Sequence, residues 1–74
     1  MILKTETEHL TCNMAKDGKG CNYWQIWEKG KDDEPIAIFV NEYDIRINES
    51  IENVVDYVYF EELKKIINDL ADSQ

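Results

Sequence analysis

Seventy-four residues provide one domain with a small hydrophobic core, and such a core rarely contributes more than about 3–5 kcal/mol unless a disulfide, a metal or a second subunit assists. An apolar fraction of 43% argues against disorder, no apolar run approaches a membrane span, and the start Met1-Ile2-Leu3-Lys4 lacks the regions of a signal peptide, so the expected compartment is the cytoplasm. A net charge of −8 disfavours direct contact with nucleic-acid phosphates.

Residues 4–14 are rich in Thr and alternate in polarity. They read as one strand, beginning as early as Ile2, with Leu10, Cys12 and Met14 on one face and Thr7, His9 and Thr11 on the other. Lys16-Asp17-Gly18 fits a three-residue hairpin loop with Gly18 in the left-handed position, followed by a strand from Asn22 to Lys29. In that register Leu10 faces Trp24, Cys12 faces Asn22 and Glu8 faces Ile26. Leu10, Cys12, Trp24 and Ile26 then share the core face. Tyr23 and Trp27 take the opposite face, across from Thr11 and Thr7 and beside His9. A two-residue loop at Asp17-Gly18 would pair Cys12 with Tyr23 and mix the faces.

Gly30-Lys31-Asp32-Asp33-Glu34-Pro35 is a turn by composition. Residues 36–48 admit a single long strand with an irregularity near Asn41, a helix from Pro35, or a hairpin turning at Asn41-Glu42. The hairpin is preferred, because it places Ile36, Ile38, Val40, Tyr43, Ile45 and Ile47 on one face.

In the C-terminal run, apolar residues at 51, 54, 55, 58, 59, 63, 66, 67 and 70 lay a stripe along an α-helix, with Glu62 as its one polar member. Ser50 is a suitable N-cap, and Glu52 suits the first turn. Val54, Val55, Tyr57, Val58, Tyr59 and Phe60 nevertheless favour strand. A helix over 51–72 therefore competes with a further strand over 53–58 and a helix starting near Tyr59. The expected fold is α+β: an antiparallel meander of three or four strands with the amphipathic helix packed on one face, residues 1–74 forming a single domain.

Candidate chemistry is sparse. Cys12 and Cys21 read as reduced thiols in a cytoplasmic chain. His9, Cys12, Cys21 and Asp17 supply zinc-type atoms, and a zinc-stabilised module is one alternative. The odd spacing of His9 and Cys12 sends them to opposite faces of a strand, so no metal ligand and no cofactor is assigned. No nucleophile context or phosphate loop is present, so no enzyme is expected and no catalytic residue is named.

The charge is unevenly spread. Residues 1–31 carry four acids against five lysines, and residues 32–74 carry twelve acids against Arg46, Lys64 and Lys65. Asp32, Asp33, Glu34, Glu42, Asp44, Glu49, Glu52 and Asp56 are the candidate acidic contacts for a basic partner, continued by Glu61, Asp69 and Asp72. Tyr23 and Trp27 are the candidate aromatic contacts. The expected function is a non-enzymatic protein-interaction module. Its sharper form is a small acidic inhibitor that fills a basic, nucleic-acid-binding groove by DNA mimicry, a profile of composition found among proteins that phages and mobile elements carry against host defence. The alternative is a structural homodimer joined through Tyr23 and Trp27 or through Tyr57 and Phe60.

Overall fold

The computed structural model describes residues 3–31, 33–48 and 57–73, with helical side chains described from Phe60 onward. Five strands form one antiparallel sheet in simple meander order: β1 (Lys4–Glu6), β2 (Leu10–Lys16), β3 (Asn22–Glu28), β4 (Ala37–Asn41) and β5 (Asp44–Ile47). One helix, α1 (Tyr57–Asp72), packs on one face. The α+β class is as the periodicities indicate, and the sheet has five strands rather than three or four.

The extra strand comes from the N-terminal run. Residues 4–14 are not one strand. The chain reverses at Thr7–His9, and β1 pairs back on β2 with Thr5 opposite Cys12. The Thr7 amide donates to the Leu10 carbonyl (2.8 Å), and the Thr7 hydroxyl accepts from the Leu10 amide (3.2 Å). A threonine that closes its own turn in this way competes with strand continuation.

The β2–β3 loop is longer than a three-residue loop. Lys16 pairs with Asn22 and Leu10 with Glu28, so the loop spans residues 17–21. The Asp17 carboxylate accepts from the amides of Lys19 (2.8 Å) and Cys21 (3.0 Å), and the Asp17 amide donates to the Cys21 carbonyl (2.9 Å). The left-handed residue is Gly20, at φ 82°, not Gly18. Pairing is displaced by four positions from the three-residue register. An even displacement preserves the faces, so Leu10, Cys12, Trp24 and Ile26 do line the core. Trp24 lies opposite Met14 rather than Leu10, Trp27 opposite Thr11, and Tyr23 opposite Ala15.

Residues 37–47 form the preferred hairpin, but its turn is at Glu42-Tyr43. Asn41 pairs with Asp44, and its side-chain oxygen accepts the Tyr43 amide (2.8 Å). An irregularity between Phe39 and Asn41 takes up the extra residue. Here the displacement is odd, so β4 turns over relative to β5: Ile45 and Ile47 lie opposite Phe39 and Ala37 instead of Ile38 and Ile36. Ala37 and Phe39 are fully buried, Ile38 and Val40 take the opposite face, and Tyr43 is 90% exposed in the turn. Phe39 pairs with Ile45 and sits edge-on to Trp24, with ring centroids 5.8 Å apart.

The core is Leu10, Cys12, Trp24, Ile26, Ile36, Ala37 and Phe39 from the sheet side against Leu63, Ile66 and Leu70 from α1. Met14, Ile45, Ile67 and Ala71 pack around its rim. The stripe from 63 to 70 is thus the buried one. The helix ends where the Ser73 hydroxyl donates to the Leu70 carbonyl (2.9 Å). Residues 57 and 58 are helical, so a strand does not extend through them. The proposed cap at Ser50, the stripe positions 51, 54 and 55, and the rest of the alternative strand lie outside the described residues. The side chains of Val58 and Tyr59 do so as well.

Candidate functional site

Among the described residues, α1 covers one face of the sheet and no element lies on the other. Alternation in β2, β3 and β4 places Thr11, Asn13, Ala15, Tyr23, Gln25, Trp27, Ile38 and Val40 on the helix-free face. None of these eight side chains is charged. Tyr23, Trp27, Ile38 and Val40 are all half-buried by their neighbours. Among the described residues, charged side chains lie on the flanking strands and loops, and two ion pairs form there. Lys29 Nζ lies 3.0 Å from Glu6 Oε2, and Arg46 Nε lies 3.2 Å from Asp44 Oδ1. A shallow groove of about 440 Å³ opens beside Trp27, lined by Thr11, Asn13 and Gln25 and by the charged residues Glu28, Lys29 and Lys31.

The two aromatic candidates therefore share one face, while His9 does not join them. Its ring turns toward α1, where Glu62 gathers the β1–β2 turn. Glu62 Oε1 accepts the Thr7 hydroxyl (2.5 Å) and the His9 amide (2.7 Å), and Glu62 Oε2 lies 2.6 Å from His9 Nδ1. The hydrogen bond to Glu62 raises the His9 pKa above the ordinary 6.5, helped by the charges of Glu62 and Glu8 and opposed by partial desolvation and Lys29. Burial pushes the Glu62 carboxyl up. The hydrogen bonds from Thr7 and His9 outweigh that and hold it below the ordinary 4.5. Sequence reading marked Glu62 only as the polar break in an apolar stripe. Its partners lie more than fifty positions away.

The described acidic candidates divide between two ends of the sheet. Asp33 and Glu34 are exposed in the β3–β4 loop. Glu42 is exposed in the β4–β5 turn, and Asp44, half-buried, is tied to Arg46. The five residues of β4 separate these ends by about 17 Å. Asp32, Glu49, Glu52 and Asp56 lie outside the described residues. Phe60 is exposed on α1, with Lys64 Nζ 5.6 Å from its ring centroid.

The zinc-type atoms are not brought together. Cys12 is buried in the core, Cys21 is exposed in the β2–β3 loop, His9 sits in the β1–β2 turn at the other end of β2, and Asp17 caps its own loop. Among the described residues no three His, Cys, Asp or Glu side chains cluster closely enough to hold a metal ion. Among the same residues, no helix is long and apolar enough to cross a membrane. No protein-family model, no curated protein and no solved structure matches the chain.

Proposed function

We propose that the chain is a non-enzymatic interaction module that receives a protein partner on the helix-free face of its sheet. The observation that carries this reading is the uncharged strip of eight side chains on β2–β4, in a chain of which 32% is charged. Tyr23 and Trp27 offer broad surfaces of low conformational cost, and Ile38 and Val40 supply apolar area between them and the β5 edge. Neither nucleic acid nor membrane is the proposed ligand, since the overall negative charge repels both phosphate and anionic headgroups. Two unbridged cysteines suit the cytoplasm, where thiols stay reduced.

A second reading, the acidic inhibitor of a basic groove, is favoured by the concentration of twelve acids in residues 32–74 and by the exposure of Asp33, Glu34 and Glu42. The two readings use different surfaces and can be separated by substitution. In binding assays with a partner isolated from native cytoplasm, Trp27→Ala should weaken binding by about tenfold or more, as expected for a central aromatic contact. Joint replacement of Asp33 and Glu34 by Asn and Gln should leave it nearly unchanged. The reverse pattern would assign the contact to the acids. Sedimentation of the free chain completes the comparison: a dimer that dissociates on Trp27→Ala identifies the partner as a second copy.

A further inference from the structure

Strand β1 is three residues long, lies at the sheet edge and pairs with β2 alone. Its turn ends on one carboxylate, because both Thr7 and His9 reach Glu62, which is itself only 15% exposed. Besides its ladder with β2, β1 carries the solvent-exposed pair Glu6–Lys29, and exposed pairs of this kind contribute little. Among the described residues, Glu62 is thus the helix side chain that hydrogen-bonds this turn, and its hydrogen-bonding capacity changes with its charge.

We propose that the Thr7–His9–Glu62 junction is a proton-operated latch, which fastens β1 and its turn to α1 at mildly acidic pH and loosens on either side. The Glu62 carboxylate accepts from a hydroxyl, an amide and an imidazole. As the neutral acid it loses its charge and part of its acceptor capacity. The imidazolium of His9 donates to it with charge assistance, and the neutral ring donates without it. The charged groups that act on His9 are Glu62 and Glu8, with Lys29 in opposition, and Lys29 is partly balanced by Glu6. On Glu62 the charged group is His9, joined by the neutral donors of the Thr7 hydroxyl and the His9 amide.

The direction of each limb follows. The His9 contribution is complete below its unfolded value of 6.5 and is lost as pH rises through its elevated folded value. The Glu62 contribution is complete above 4.5 and is lost as pH falls through its depressed folded value. The latch is thus tightest between those two values, and its action does not depend on what occupies the opposite face of the sheet.

Hydrogen exchange on the intact chain, resolved by NMR and expressed as protection factors, reads the latch directly through the His9 amide, with Ile26 as the core reference. Protection at His9 should fall about threefold or more between about pH 5.5 and about pH 8.5 while Ile26 holds steady. His9→Gln, which keeps the amide donor, should abolish that alkaline fall and retain the acid one. Glu62→Gln should abolish both and return the His9 ring titration toward 6.5. A flat His9 profile in the wild type overturns the proposal, as does an alkaline limb that survives His9→Gln. Should Glu62→Gln fail to fold, the His9→Gln comparison decides by itself.

Discussion

Cys12 and Cys21 flank one hairpin and have opposite reactivity. Cys12 has no exposed surface, and burial pushes its thiol up to about 11. At about pH 8 its thiolate fraction is on the order of one in a thousand, so neither access nor ionisation favours reaction. Cys21 is exposed in the β2–β3 loop. Brief treatment of the native chain with a maleimide should therefore give one adduct by mass spectrometry, at Cys21, and two after denaturation. Rapid double labelling of native protein would mean that Cys12 is not enclosed between β2 and α1. Residues of this kind divide in legibility. The burial of Cys12 follows from its alternation with Leu10. Glu62 was visible only as an exception, because local spacing carries no information about a hydrogen bond across the domain.

Elements were legible to the extent that their pattern repeats. The helical stripe at 63, 66, 67 and 70 meets the core as its spacing requires, and the strands over 22–28 and 37–47 exist where alternation places them. Turn chemistry was the weaker signal. Asp17 and Asn41 each use a side-chain oxygen to build a turn; the first competes in sequence with a turn led by Gly18, and the second with a turn one residue earlier at Asn41-Glu42. Parity decided how much each error mattered. The displacement in β2–β3 was even and left the core intact, whereas the one in β4–β5 was odd and exchanged Ile38 and Val40 for Ala37 and Phe39. The β2–β3 loop offers a direct test. An added Cβ meets nothing within 4 Å at either Gly18 or Gly20, but only Gly20 has positive φ. Gly20→Ala should destabilise by about 1–2 kcal/mol through conformation alone. Gly18→Ala should be neutral or mildly stabilising, by up to about 1 kcal/mol, through loss of unfolded-state freedom. Equilibrium urea unfolding of both variants checks this, and the opposite order would favour the three-residue loop.

At the scale of the whole molecule, charge and apolar surface are segregated. Amphipathic periodicity was sufficient to foresee a sheet with one face under a helix. It did not show which side chains of β4 would join Tyr23 and Trp27 on the middle of the other face, since that depends on the inverted β4 register, which places Ile38 and Val40 there. The segregation has a measurable consequence. A partner held on the uncharged strip gains mainly from burial of apolar surface, which salt does not screen. A partner held by Asp33, Glu34, Glu42 and their neighbours gains from exposed charges, whose attraction decays within about 10 Å at about 0.1 M salt and about 3 Å at about 1 M. Raising the salt from about 50 mM to about 500 mM should therefore change the dissociation constant by less than about threefold if the strip is the contact. The association rate should still shift, because the field of a −8 molecule acts on approach whichever surface finally docks. Measuring both rate constants across that range separates steering from holding. A dissociation rate that climbs steeply with salt would move the contact from the sheet face to the acidic ends.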